Sequence, residues 1–282
     1  MITYEKCSNV DLRQVYEAFQ VGFSDYIIKL QVSWERFYTH FFEIEGNKLE
    51  YSYIALDGDK PIGVVFGGLK DFEGVLTLRC GALCTAPEYR GKGVSRALYE
   101  AHRAIALELG CKQLYLEVIV GNDRAIEFYK KTGYKKEYDL YYYTLKNEAA
   151  ESLPGTGEYE VQELQWEQVL EMASGLNIHT NWQNRLDYAQ KVAGVTHYGI
   201  YQEGVLAGCI TLSPAGRIYF IYTRPDFRNR GIAASLLSHV ARTIKQGNLN
   251  ISFPANEQME SFVTRMGFSK NELSQYEMYM PL

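Results

Sequence analysis

The hydrophobic pattern of the first half of the chain predicts a mixture of strands and helices. Alternating apolar and polar residues indicate strands, whereas apolar residues spaced three and four apart indicate helices. The predicted strands are 2–7, 51–57, 61–69, 75–85, 113–119 and a last segment up to about 146, and the predicted helices are 10–20, 33–44, 92–109 and 123–132. Gly110 and Gly133 follow the last two helices, where a glycine commonly ends a helix.

The second half of the chain shows the same order of elements. Its predicted strands are 158–164, 197–202, 205–212, 217–223, 248–253 and a final segment to Leu282. Helical periodicity is weak over 166–190 and clear over 230–245 and 257–265. The pattern therefore favours a duplicated domain.

Individual residues repeat in register between the two halves. Thr85-Ala86-Pro87 parallels Thr223-Arg224-Pro225, and the segment 90–95 parallels 228–233. Asn122 and Gly133 parallel Asn256 and Gly267 at one offset, since 256 − 122 = 134 and 267 − 133 = 134. A period of this length indicates two domains rather than a solenoid. We predict a first domain over 1–146, a linker rich in small and polar residues over 147–157, and a second domain over 158–282.

Composition narrows the class of protein. The net charge of −5 and the absence of a block of positive charge argue against a nucleic-acid partner. Five cysteines without a CxxC spacing indicate reduced thiols in a cytoplasmic protein, and the five scattered histidines match no metal site. The N-terminus does not look like a signal peptide, and no apolar run is long enough to cross a membrane. We expect a cytoplasmic protein without a bound metal.

A candidate anion site lies at the start of the long helix in each half. The first turn of a helix leaves backbone N–H groups unpaired, and the helix dipole adds partial positive charge there. Gly91 and Gly93 let the backbone approach an anion closely, and Arg90 and Lys92 add charge. A pyrophosphate would suit this site. An ordinary strand-to-helix turn is the alternative interpretation of the same residues.

The chain resembles the GNAT superfamily of acyl-CoA-dependent N-acetyltransferases, in tandem. The resemblance rests on a strand ending in Thr-Ala-Pro, the motif Arg-x-x-Gly-x-Gly/Ala, a long helix, and then the residues Leu114–Val118, Asn122, Ala125, Phe128, Tyr129, Gly133 and Tyr134. It implies an α/β (α+β) protein made of two such folds, each a mixed, mostly antiparallel sheet flanked by helices. It also implies that strands 76–85 and 113–119 splay apart.

The same resemblance implies a binding site for acetyl-CoA as co-substrate, with no metal. The pantetheine arm would pair with the strand edge, and the helix start would hold the pyrophosphate. Ser95 departs from the usual Gly/Ala of the motif but is small. The implied cofactor-binding residues are Leu83, Cys84, Thr85, Arg90, Gly91, Lys92, Gly93, Val94, Ser95 and Asn122. The second half retains a reduced set, Arg228, Gly231 and Ala233.

Acetyl transfer to an amine needs a proton donor for the leaving thiolate and a base for the amine. The resemblance implies that Tyr129 is the acid, and Glu117 is the best candidate for the base because strand 76–85 carries no carboxylate. The second half has Val263 and Ile251 at the matching positions, so we expect it to be catalytically degenerate. Tyr129 as a core aromatic and Glu117 as a surface or salt-bridged residue are the alternatives. Cys84 is better explained by strand packing than as a nucleophile.

The expected acceptor is a primary amine of a small molecule or peptide. The loop after the first helix is the expected acceptor site, with Phe23, Asp25 and Tyr26 as its candidate residues. The sequence thus predicts an acetyl-CoA-dependent N-acyltransferase (EC 2.3.1.-). A non-catalytic acyl-CoA-binding or regulatory protein is the alternative. The sequence leaves open the acceptor, the acyl-chain preference and the oligomeric state.

Overall fold

The computed structural model describes residues 1–30, 32–147, 153, 159–243 and 247–282. Their contacts define two compact units: Met1–Glu137 with Tyr276–Leu282, and Tyr138–Gln275. The predicted linker 147–157 lies outside the described residues except for residues 147 and 153. The domain limits inferred from the repeated sequence, 1–146 and 158–282, stay a prediction.

The first unit follows the order of elements expected from the hydrophobic pattern. Strands 75–85 and 113–119 have the predicted limits, and the long helix begins two residues later than predicted, at Val94. The elements of this unit are β1 (Ile2–Lys6), α1 (Leu12–Gly22), α2 (Trp34–Tyr38), β2 (Asn47–Asp57), β3 (Lys60–Phe72), β4 (Val75–Thr85), α3 (Val94–Glu108), β5 (Gln113–Ile119) and α4 (Asp123–Lys131).

The sheet of the first unit has the order β1-β2-β3-β4-β5, and the strand after β5 is the end of β12 (Ser269–Pro281). Strands β1 to β4 pair antiparallel, and β4 pairs parallel with β5. One apolar cluster on the sheet contains Phe19 and Phe37 from α1 and α2, and another contains Leu98 and Tyr129 from α3 and α4. The two helix pairs therefore cover opposite faces of the sheet.

The helix predicted at 33–44 is two different helices in the structure. It consists of α2 and a π-helical turn, Thr39–Ile44. Phe37 and Phe42, five residues apart, are both buried with ring centroids 5.9 Å apart. Residues five apart lie on different faces of an α-helix, whereas a π-helical turn brings them to one side. The wider turn therefore allows both rings to enter the core.

Tyr276–Leu282 belongs to the first unit because its contacts lie there. The Tyr115 hydroxyl donates a hydrogen bond of 2.6 Å to the Glu277 carboxylate, and the Leu282 amide donates one of 3.0 Å to the Lys112 carbonyl. Sequence periodicity detects a strand at this position but does not identify its partner strand.

The second unit repeats the architecture. Its elements are β6 (Lys135–Leu145), β7 (Val161–Glu163), α5 (Trp166–Ala173), α6 (Leu186–Ala189), β8 (Thr196–Gln202), β9 (Val205–Leu212), β10 (Arg217–Thr223), α7 (Ile232–Thr243), β11 (Leu249–Pro254), α8 (Glu257–Arg265) and most of β12, with β6 entering this unit at Tyr138. The sheet order is β6-β11-β10-β9-β8-β7, and only β10 and β11 pair parallel among the pairings described.

The weak helical region 166–190 contains α5, α6 and a short 3₁₀ turn. The predicted end of the long helix at 245 lies outside the described residues.

The strand registers of the two units also match. Thr85 of β4 pairs with Gly63 of β3, and Thr223 of β10 pairs with Gly208 of β9. The predicted duplication is thus confirmed at the level of tertiary structure. No helix among the described residues is both long and apolar enough to span a membrane.

Candidate functional site

Strands β4 and β5 form a wedge in the first unit. They pair in parallel over three positions, from Thr77 with Gln113 to Arg79 with Tyr115. The described pairing ends there, although β4 continues to Thr85 and β5 to Ile119. The predicted splaying of these strands is therefore present, and Arg79 and Tyr115 mark its apex.

A one-residue bulge at Gly81 changes which face each β4 residue occupies. Phe66 of β3 pairs with Ala82 and Gly67 with Cys80, so Gly81 is the extra residue. A Cβ atom at Gly81 would lie 2.2 Å from Asn47 Oδ1, so a side chain there would require the buried Asn47 side chain to move. Cys80 consequently packs with the α3 and α4 cluster, whereas Ala82 and Cys84 pack with the α1 and α2 cluster.

The predicted anion cradle lies at the start of α3. Gly91 and Gly93 have φ angles of 74° and 86°, in the left-handed region that favours glycine. Ideal Cβ atoms at either residue would meet nothing within 4 Å, so the space beside this backbone is open. Thr85 and Ser95 join their hydroxyls at 2.9 Å across the turn. This arrangement is suited to an anion at the amides of residues 91–95, and it fits the pyrophosphate expected from the sequence.

Arg90 of the cradle is held by a residue predicted for a different role. Its Nε donates to the Thr85 carbonyl at 3.1 Å, and its two terminal nitrogens contact the Asp25 carboxylate. The hydrogen bond from Arg90 lowers the pKa of Asp25. The structure thus joins the predicted acceptor loop to the predicted cofactor site.

Tyr26 and Phe23 extend this contact toward α4. Burial raises the pKa of Tyr26, and a hydrogen bond with the Asn122 side chain opposes that effect. Asn122 also caps α4, accepting a hydrogen bond from the Ala125 amide at 3.4 Å. The Phe23 ring packs edge-on against Tyr26 with centroids 4.9 Å apart. The loop therefore contacts the turn before α3, at Arg90, and the N-cap of α4, at Asn122.

Tyr129, the predicted acid, lies on α4 and is 8% exposed. Its hydroxyl lies beside the Cys80 thiol, and its ring packs against Tyr134 with centroids 5.5 Å apart. Burial, together with Cys80 and Tyr134, raises the pKa of Tyr129 well above its ordinary value. The phenol is therefore protonated at neutral pH, as a proton donor must be.

Glu117, the predicted base, lies on β5 with a side chain that is 4% exposed. Leu116 and Val118 pack with the α3 and α4 cluster, so strand alternation directs Glu117 to the opposite face of the sheet. Its Oε2 accepts a hydrogen bond from Arg79 Nη2 at 3.0 Å. The predicted acid and base thus lie on opposite faces, on elements that border one wedge.

Cys84 and its two neighbours lie along the part of β4 beyond the apex. The Leu83, Cys84 and Thr85 backbones pair with β3 on one side, and the described pairing with β5 ends before them. Burial raises the pKa of the Cys84 thiol to about 12. A Cβ atom at Gly22 of α1 would lie 2.3 Å from Cys84 Sγ, which shows how closely the thiol packs on that helix. A protonated, packed thiol is suited to a structural role.

The second unit retains the scaffold of this site but not its predicted catalytic side chains. Asn229 and Gly231 have φ angles of 60° and 85°, close to those of Gly91 and Gly93. Arg228 Nε donates to the Thr223 carbonyl at 3.2 Å, as Arg90 does to Thr85. Buried Val263 takes the place of Tyr129, and Ala233 takes that of Ser95. The predicted match of Ile251 to Glu117 is wrong, because Ile251 packs in the core of its unit as Leu116 does. The parallel pair of Arg217 with Asn250, against that of Arg79 with Tyr115, puts Ser252 at the place of Glu117.

Sequence reasoning missed the role of Arg79, the one charged residue of β4. Its side chain is 5% exposed, and its Nη1 donates to Glu45 Oε2 at 2.9 Å. A lone charge within a buried strand was the available signal, because such a charge requires a partner. Within the part of the chain that the structure describes, no group of three His, Cys, Asp or Glu residues could hold a metal ion.

The chain matches the Acetyltransferase (GNAT) family over residues 12–134 and 159–268. It therefore belongs to the GNAT family and carries the family's domain twice, as the sequence motifs indicated. The match covers both units and includes the strand-turn-helix cradle of each one.

Two curated relatives match parts of the chain. N-alpha-acetyltransferase 30 of Schizosaccharomyces pombe is 35% identical over 98 residues, which are 34% of this chain and 65% of that protein. Thialysine N-epsilon-acetyltransferase of Bos taurus is 43% identical over 47 residues, which are 17% of this chain and 28% of that protein. The matched segments thus span less than two thirds of either relative.

Solved structures resemble the chain over its whole length. A tandem GNAT protein from the clavulanic acid biosynthesis pathway has a TM-score of 0.74 at 16% identity, covering 100% of this chain and 98% of that one. A GCN5-related N-acetyltransferase from Sphaerobacter thermophilus has a TM-score of 0.65 at 13% identity, covering 100% and 95%. At these identities the likeness is one of fold.

Proposed function

We propose that the protein is an N-acetyltransferase that moves an acetyl group from acetyl-CoA to a primary amine, and that its first unit carries the chemistry. The observation that carries this proposal is the wedge of β4 and β5, bordered by Tyr129 on one face and Glu117 on the other. Membership in the GNAT family supports the reaction class.

The donor would lie along β4 and the cradle. The backbone of Leu83, Cys84 and Thr85 would hold the pantetheine arm, and the amides of residues 91–95 would hold the pyrophosphate. Asn122 at the start of α4 and Arg90 at the cradle would complete the donor site. The retained cradle of the second unit, at Arg228, Gly231 and Ala233, is a weaker candidate for a second binding site.

The proposed reaction is direct transfer. The amine nitrogen attacks the thioester carbonyl carbon, the carbon–sulfur bond breaks, and the departing thiolate takes the proton of Tyr129. Glu117 accepts the proton that the amine loses, through a water molecule; it then releases that proton to solvent, and solvent restores the Tyr129 proton. The matching positions of the second unit hold Val263 and Ser252, which offer neither a phenol nor a carboxylate, so we assign it no transfer activity.

The acceptor class is tested by release of free CoA thiol from acetyl-CoA in the presence of a panel of amines. The names of the relatives suggest two groups of test acceptors, peptides with a free α-amine and the ε-amine of thialysine. Small primary amines form a third group. Mass spectrometry should find one acceptor heavier by an acetyl group. Saturable CoA binding without thiol release in any arm would contradict the proposal and favour a non-catalytic acyl-CoA-binding protein.

A further inference from the structure

Arg79 bridges the two strands of the wedge at the point where they separate. Arg79 and Tyr115 are partners in the last parallel pair, so their side chains share a face, and Glu117 lies two residues further along β5 on that same face. Arg79 Nη2 lies 3.0 Å from Glu117 Oε2, and Arg79 Nη1 lies 2.9 Å from Glu45 Oε2. One guanidinium therefore connects β4, β5 and the segment that precedes β2.

This charge cluster is buried, with exposed side-chain fractions of 5% for Arg79, 6% for Glu45 and 4% for Glu117. Removing charges from water costs free energy that their mutual attraction only partly offsets, so buried ion pairs are weak evidence for stability. Clusters of this kind can instead hold a side chain in one particular geometry. The carboxylate held by Arg79 at the wedge is that of Glu117.

The second unit provides an internal comparison. Arg217 lies six residues before Thr223, as Arg79 lies six before Thr85 (223 − 217 = 6 and 85 − 79 = 6), and both belong to the parallel-paired part of their strand. The described hydrogen bonds of the Arg217 guanidinium go to neutral groups, the Asn184 Oδ1 at 3.0 Å and the Gln183 carbonyl at 3.3 Å. In the second unit, whose strand β11 carries no glutamate, no carboxylate among the described residues pairs with Arg217.

We propose that Arg79 is a positioning residue for acetyl transfer, which holds the Glu117 carboxylate at the apex of the wedge. The guanidinium is a rigid planar fork, so fixing one arm on Glu45 fixes the direction of the arm that reaches Glu117. A lysine ammonium is a point charge on a flexible stem and does not reproduce this two-armed contact. The inference rests on the proposed function, in which Glu117 is the base.

A double-mutant cycle on the full chain tests this inference, with the amine found in the panel as acceptor. Arg79→Lys should lower kcat by about 10–100-fold, the scale expected when a catalytic group is misplaced, and should leave the KM for acetyl-CoA unchanged. In the Glu117→Gln background the same change should lower kcat by less than about twofold, because Arg79 then has no base to position. Arg217→Lys, the same substitution at the matching arginine of the second unit, is the control and should leave kcat unchanged.

Two results would overturn the inference while leaving the proposed transferase activity intact. Equal losses of kcat in the two backgrounds would show that Arg79 acts independently of Glu117, and a wild-type kcat for Glu117→Gln would remove the base that it positions. Absence of turnover by the wild-type chain would overturn both proposals. If Arg79→Lys fails to fold, the cycle is run with Arg79→Gln combined with Glu45→Gln, which leaves no unpaired Glu45 carboxylate.

Discussion

Asp25 holds the guanidinium of Arg90 through two hydrogen bonds, with Nη1 2.5 Å from Oδ2 and Nη2 2.6 Å from Oδ1. The pair connects the loop after α1 to the turn before α3, which are the proposed acceptor and donor regions. An Arg–carboxylate pair of this kind uses the same fork geometry that an arginine presents to a phosphate. Asp25 and a bound pyrophosphate would therefore compete for Arg90.

Asp25→Asn should tighten CoA binding. The carboxylate is 51% exposed, so the pair it forms contributes at most about 1 kcal/mol, and its loss should increase affinity by about 2–5-fold. Titration calorimetry with CoA measures this effect directly. Glu88→Gln is the matched control, because Glu88 is two residues from Arg90 but pairs with Lys60 at 3.1 Å. Unchanged or weaker affinity in Asp25→Asn would show that Asp25 does not compete with the ligand.

Gly93→Asp should weaken CoA binding at least tenfold. The substitution puts a negative charge and a side chain beside amides that are proposed to hold the pyrophosphate, at a residue whose φ is 86°. Gly231→Asp in the second unit, where φ is 85°, imposes a similar backbone constraint and should leave the main binding isotherm unchanged. If the two variants lost affinity equally, the first unit would not be the principal donor site.

The cradle could be predicted from the sequence because its chemistry is local. Gly91 and Gly93 lie within one turn and are followed directly by a helix, so their spacing alone indicates a backbone that can approach an anion. The absence of a counterpart to Tyr129 in the second unit was also visible, since Val263 occupies its repeat position. The one-residue offset that puts Ser252 rather than Ile251 at the place of Glu117 was not visible, because it lies in the strand register.

The charge cluster at the apex could not be predicted in the same way. Arg79 contacts Glu45 and Glu117 across 34 and 38 residues of sequence, and no local pattern specifies pairs at such separations. Asp25 and Arg90, 65 residues apart, present the same difficulty. The Gly81 bulge was likewise hidden, because an alternating pattern does not show where a strand gains an extra residue.

Replacing His102 with leucine should stabilise the protein at acidic pH. His102 is fully buried on α3, no described group hydrogen-bonds either ring nitrogen, and burial lowers its pKa from 6.5 to about 4. Between these two values the unfolded chain binds a proton that the folded chain does not. The stability of the wild type therefore falls as the pH decreases below about 6.5, by roughly 2 kcal/mol at pH 5.

Urea denaturation of the wild type and of His102→Leu at pH 7.5 and pH 5 measures this linkage. The wild type should lose about 2 kcal/mol more than the variant between the two pH values. Because each protein is compared with itself, any packing change that leucine introduces cancels. Equal losses in the two proteins would mean that His102 takes up no proton in this range on unfolding.

Tyr129→Phe should separate catalysis from packing. The hydroxyl lies beside the Cys80 thiol, whereas the ring packs among Tyr134, Phe128 and the α3 and α4 cluster, so phenylalanine keeps the packing and removes only the proton donor. We expect kcat to fall by about 10²–10⁴-fold, the usual range for a positioned acid, with CoA affinity and melting temperature nearly unchanged.

Tyr134→Phe is the matched control, because it removes a neighbouring buried hydroxyl that no described group hydrogen-bonds. That variant should keep its turnover and be as stable as the wild type or slightly more so. A wild-type kcat in Tyr129→Phe, under conditions where chemistry limits turnover, would assign the proton to another donor. Parallel losses of activity and melting temperature would instead identify Tyr129 as a packing residue.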